Sequence, residues 1–77
     1  MSEHNPLIDT QDGDSVVARI GDQYVTRTVL RLEHPVLGGE IDVVYADSRD
    51  SGVHRCYLPA WRAWCRKRKA EVVRDNK

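Results

Sequence analysis

The stretch HRCYLPAWRAWCRKRKA, residues 54–70, decides how the rest of the chain is read. It holds both tryptophans, both cysteines, one of the three tyrosines and six of the twelve basic residues, and it contains no acid. Its first residues alternate, with His54, Cys56 and Leu58 opposing Val53, Arg55 and Tyr57, which is the period of a strand. Pro59 then stops the strand and suits the first turn of a helix, where its missing N–H costs nothing. Beyond it Ala, Arg, Lys, Glu, Trp and Val continue without a breaker, so a helix is predicted over about 59–74. Trp61, Trp64, Cys65, Arg68 and Val72 share the predicted inner face, and Arg62, Arg66 and Lys69 form a basic ridge beside it.

Working back from this stretch, Glu40 to Ala46 (EIDVVYA) alternates cleanly and predicts a strand, with Ile41, Val43 and Tyr45 on one face. The polar turn DSRDSG, residues 47–52, joins it to the strand at 53–58. Upstream, EHPVLGG at 33–39 breaks the pattern with His-Pro and Gly-Gly and reads as a loop. Residues 15–20 (SVVARI) and 23–32 (QYVTRTVLRL) predict two more strands, joined at Gly21-Asp22 by a glycine-first hairpin turn of type II′. The second strand has mixed parity, which calls for a bulge near Thr26 to Thr28 or for cover on both faces. Residues 1–14 (MSEHNPLIDTQDGD) carry four acids, no base and no apolar period, and are read as a flexible acidic arm.

The expected fold class is therefore α+β: a small antiparallel four-stranded meander or partial barrel over residues 15–77, with a C-terminal helix packed on it. In outline this resembles SH3-like and other small β-barrel modules, and an outline says little about function. A chain of 77 residues makes one domain with little interior. Phe is absent, so bulk must come from Trp and Tyr, whose polar atoms want partners when buried. A core this small gives seldom more than about 5 kcal/mol, which makes self-association or a bound partner a reasonable expectation.

Formal charge is zero overall but unevenly spread. Residues 1–50 carry ten acids against four bases, a net of −6, whereas residues 51–77 carry eight bases against two acids, a net of +6. Such a dipole along the chain permits an acidic segment to shield the basic one, head-to-tail association, or two surfaces that meet different partners. No apolar run approaches the length of a membrane span, so no membrane contact is expected. The two cysteines and the polar opening segment point to a reduced, cytoplasmic setting.

Candidate sites follow from the same stretch. Trp61 and Trp64 fit a core role, and one ring beside the arginines fits an interface anchor. The leading expectation is a non-enzymatic interaction or regulatory protein that docks a protein partner, or a second copy of itself, through Arg62, Trp64, Arg66 and Lys69. The alternative is a nucleic-acid-binding module placing Arg55, Arg62, Arg66, Lys67 and Lys69 on phosphates, with Tyr57 or a tryptophan stacking on bases. His34, His54, Cys56 and Cys65 lack the paired short spacings of a structural zinc site, so no metal and no cofactor is expected. Ser48, Asp50, Ser51 and His54 cluster near one turn but form no nucleophile elbow. Phosphate-loop and dinucleotide fingerprints are missing too, so neither an enzyme nor a small-molecule substrate is expected.

Overall fold

The computed structural model describes residues 10–73. Gly21, at φ +62°, lets the chain reverse in a two-residue turn between β1 (Ser15–Ile20) and β2 (Gln23–Glu33). β3 (Asp42–Asp47) and β4 (Val53–Tyr57) follow, then a single helix, α1 (Leu58–Arg68), and a two-residue strand, β5 (Glu71–Val72). The five strands form one antiparallel sheet in the order β4–β3–β2–β1–β5. It is an open sheet covered by α1 on one face, not a closed barrel.

Helix length explains the architecture. Eleven residues at 1.5 Å each span about 16 Å. Crossing from β4 to β5 requires four inter-strand steps, about 19 Å in all. The helix therefore starts at the β4 edge, traverses the covered face and delivers the chain to the far edge, where β5 pairs with Val16 and Val17 of β1.

Four strands were expected and there are five, because the helix ends at Arg68 rather than near residue 74. Lys69 adopts the left-handed conformation (φ 53°, ψ 46°), its N–H bonds to the Arg66 carbonyl, and the Ala70 N–H bonds to the Cys65 carbonyl. This is the Schellman geometry that ordinarily recruits glycine, and Ala70 and Cys65 supply its apolar contact in the core. Lysine at the glycine position hid the stop, and the predicted residue 74 lies outside the described residues.

Register assigns the faces. Val16, Ala18, Arg27, Val29, Val43, Tyr45, Asp47, His54 and Cys56 share the covered face, while Tyr24, Arg31, Val44, Val53, Arg55 and Tyr57 share the open one. The parity switch in β2 is a bulge between Val29 and Arg31, slightly later than Thr26 to Thr28. The core joins Val16, Ala18, Val29, Val43 and Tyr45 of the sheet to Trp61 and Cys65 of the helix and to Ala70. Trp61 is completely buried, and truncating such a ring costs about 3–5 kcal/mol. Of the acidic arm read over 1–14, residues 1–9 lie outside the described residues. Its remainder is bonded to β2: Gly13 N–H donates to the Val29 carbonyl, and the Asp12 carboxylate accepts from Leu32 N–H.

Candidate functional site

The sheet binds its own arginines to its own acids. Asp47, buried on the covered face, accepts from Arg27 Nε at 3.1 Å and from Arg49 Nε, Nη2 and backbone N at 2.8–3.0 Å. The Arg49 hydrogen bonds, joined by those of Arg27, hold this carboxyl far below the usual range despite its burial. Glu33 is held below its ordinary value by Arg31 at 2.8 Å and Arg55 at 2.7 Å. Asp42 gives Arg55 a second partner at 3.5 Å, and the hydrogen bond from His54 lowers Asp50.

Arg27 is also stacked. Its guanidinium lies 3.9 Å from the Trp64 ring centre and 4.7 Å from that of Tyr45. Tyr45 in turn touches His54 at 5.5 Å and Trp61 at 5.3 Å between ring centres. A continuous aromatic seam thus runs under the helix, with one cation between two rings. The Trp61 indole N–H is buried there without an acceptor among the described residues.

The helix's last turn is different. Arg66, Lys67, Arg68 and Lys69 are exposed, and none forms an ion pair among the described residues. Arg68 and Lys69 line a cleft of about 360 Å³ together with Val17, Ala18, Arg19, Tyr24 and Glu71. Its origin is the short reach of β5. The Val73 N–H donates to the Ser15 carbonyl, so alternate β1 residues Ser15, Val17 and Arg19 present their backbone groups towards β5. Register would next bring residue 69 opposite Arg19, but Lys69 is left-handed and the ladder stops there. The Arg19 backbone is left facing the cleft, with Arg68, Lys69, Glu71 and the Tyr24 ring around it.

The sequence-derived residues divide. At 3.6 residues per turn, Arg62 and Arg66 occupy one flank of α1, Lys69 lies past its end in the left-handed conformation, and Trp64 stands about 160° from Arg62 and Arg66. Trp64 is half-buried against Arg27 and does not adjoin that flank. Arg62 is half-buried and Lys67 faces solvent. Arg55 lies on the open face, tied to Glu33 and Asp42, apart from the helix cations. Tyr57 shares that face, so neither it nor a free tryptophan ring accompanies Arg62, Arg66, Lys67 and Lys69.

His54, Cys56 and Cys65 are on the covered side, and His34 is in the β2–β3 loop. Burial pushes the Cys65 thiol up to about 11. Among the described residues, no three His, Cys, Asp or Glu side chains gather as metal ligands. Ser48 accepts the Thr26 N–H and Asp50 bonds His54 Nε2.

No protein-family model, curated protein or solved structure matches this chain. The site is therefore read from its own geometry. No helix among the described residues is long and apolar enough to cross a membrane. Arg19 and Tyr24 were missed by sequence reasoning, which placed Arg68 in the basic cluster of the helix and on its inner face but not at a cleft. Arg68 carried a signal: a cation in an apolar stripe at a helix end marks where the stripe has run past the sheet.

Proposed function

We propose that this chain is a non-enzymatic docking module that captures an acidic segment of a protein partner at the C-terminal end of α1. Lys69 and Arg68 grip carboxylates at the cleft, Arg19 closes it from β1, and Arg66 and Arg62 extend the surface along the helix flank. The observation that carries this reading is the contrast in pairing. Sheet arginines are satisfied by carboxylates, while four consecutive cations at the helix end have none among the described residues. Charge left uncompensated at one place attracts the opposite charge even when the total is zero.

A second observation points the same way. Lys69 is the sole non-glycine residue at positive φ among the described residues, and it lines the cleft. Backbone strain of this kind collects at ligand-gripping positions. A protein segment is favoured over nucleic acid because the helix-flank cations have no free indole beside them and Arg55 is engaged elsewhere.

The test is fluorescence anisotropy with a labelled polyglutamate peptide and a length-matched polythymidylate. The peptide is expected to bind at low salt, and Arg68→Glu with Lys69→Glu to weaken it at least about tenfold, since each contact is worth roughly 1 kcal/mol. No peptide binding, or binding indifferent to that charge reversal, overturns the reading. Tighter polythymidylate binding with a steep salt slope replaces it with the nucleic-acid alternative.

A further inference from the structure

The two edges of the sheet are treated unequally. On the β1 side the chain returns from the helix and pairs Glu71 and Val72 against the strand. On the β4 side nothing returns. Leu58 N–H donates to the Ile41 carbonyl, which makes residues 41 and 58 a hydrogen-bonded pair. By alternation Cys56 and His54 also direct their backbone groups at β3, so Val53, Arg55 and Tyr57 present theirs outward. The Tyr57 carbonyl caps α1 and accepts its first helical bond, which leaves the outward N–H groups of Val53, Arg55 and Tyr57 and the carbonyls of Val53 and Arg55 without a partner among the described residues.

Exposed edges are usually blunted by proline, a bulge, or a charge projecting at the rim. β4 has no proline and its register with β3 is regular over all five residues. Its one charge is Arg55, and that guanidinium is drawn inward over the sheet, past its neighbour Val44, to Glu33 on β2 at 2.7 Å. Val44 is accordingly fully buried although it lies on the open face. The rim itself is left to Val53 and Tyr57, which are 63% and 58% exposed.

We propose that the β4 edge is a strand-pairing site for a second copy of this chain, with the two β4 strands antiparallel about a two-fold axis at Arg55. The outward groups at 53, 55 and 57 are symmetric about residue 55, so the axis brings the set onto itself. Arg55 faces Arg55 and exchanges two backbone bonds with it, and Val53 faces Tyr57 twice with one bond each, from the Tyr57 N–H to the Val53 carbonyl, because the Tyr57 carbonyl is held by the helix. Four hydrogen bonds and two apolar pairs result. Like charges meeting at the axis would ordinarily oppose this, but each guanidinium turns away from the rim and is neutralised by Glu33 and Asp42. A foreign strand gains the backbone bonds without this matching of Val53 to Tyr57, which is why the occupant is a second copy. The pairing is independent of docking at the helix end, which lies towards the opposite edge.

An interface of this size belongs to the small, weak class, with a dissociation constant of roughly 0.1 mM. Sedimentation of the full chain between about 10 µM and 1 mM should pass from monomer to dimer. Over the same range, amide exchange at Val53, Arg55 and Tyr57 should slow about fivefold, because those protons exchange from the monomer, while His54 and Cys56 stay unchanged. Val53→Pro removes an outward donor at the first strand position, where proline is tolerated, and should leave a monomer. Tyr57→Lys, on an exposed side chain, should do the same if the proline variant fails to fold. A monomer at all concentrations overturns the proposal. So does a dimer whose amides at 53, 55 and 57 exchange independently of concentration, since that dimer uses another surface.

Discussion

Replacing Asp47 with Asn should remove about 3 kcal/mol of folding stability. The side chain is nearly isosteric, so the perturbation is the charge. In the native protein this carboxylate is 4% exposed and serves two guanidiniums of very different surroundings: Arg27 is 13% exposed and Arg49 is 44% exposed. Breaking a buried pair and stranding its cation costs about 3–5 kcal/mol. Two corrections apply. The Arg49 share is screened by water and worth at most about 1 kcal/mol. Arg27 keeps its stacking on Trp64 and Tyr45, worth roughly 1–2 kcal/mol where solvent is excluded, which lowers the loss towards the bottom of the range. Against a total on the order of 5 kcal/mol for a domain this small, the variant retains less than half its stability. Urea unfolding followed by tryptophan fluorescence should show the midpoint falling by more than half with an unchanged slope. Arg49→Met should cost no more than about 1 kcal/mol. Adding Arg27→Met to Asp47→Asn should recover part of the loss, because the stranded charge is then gone. A loss below about 1 kcal/mol for Asp47→Asn, or equal losses for Asp47→Asn and Arg49→Met, would refute this reasoning.

Asp47, Glu33 and Asp50 all have folded pKa values below their ordinary ones, chiefly through hydrogen bonds from Arg49, Arg31 and His54 respectively. Their stabilisation is complete above the unfolded carboxylate value of about 4 and is lost as pH falls from there through the depressed folded values, so thermal melts should decline steeply below about pH 4 and less so in Asp47→Asn. Lys69→Gly should raise stability by about 1 kcal/mol, roughly 5 °C in melting temperature, because glycine occupies the left-handed helix-end position without its steric cost. Trp61→Phe should cost less than about 2 kcal/mol, since the lost volume is offset by removing an indole N–H that has no acceptor among the described residues; a cost near that of Trp61→Ala would mean the N–H is satisfied.

Strand positions were legible because alternation is a local signal: Val16, Ala18, Val43 and Tyr45 carry it within their own segments. Trp61 and Cys65 were legible as core for the same reason at helical spacing. β5 was not, since Glu71 and Val72 form a strand only where β1 offers a free edge, and no local pattern contains that edge. The helix end escaped notice because Lys69 stands where glycine would have announced it. The cleft depends on both events, so Arg19 and Tyr24 could not be joined to Arg68 from sequence spacing. The covering of Trp64 depends on a partner rather than a pattern: Arg27, far away in the chain, lies over its half-buried ring.

The same allocation of charge connects stability with the proposed docking. Twelve acids and twelve bases cancel over the whole chain, and a uniform pairing would leave no face with a field. The fold pairs them unequally. β2, β3, β4 and the β3–β4 turn lie side by side, and there Arg27, Arg31, Arg49 and Arg55 consume Glu33, Asp42 and Asp47. The acids thereby spent on holding the sheet cannot reach α1, whose last turn sits above the far edge and keeps its cations facing outward. Strengthening the sheet network and enlarging the field at the helix end are thus one operation. The proposed pairing at β4 would extend it, because joining two sheets at the edge away from those helix ends would set two basic clefts at opposite extremities. A partner with two acidic segments gains effective concentration there only if its linker spans both sheets.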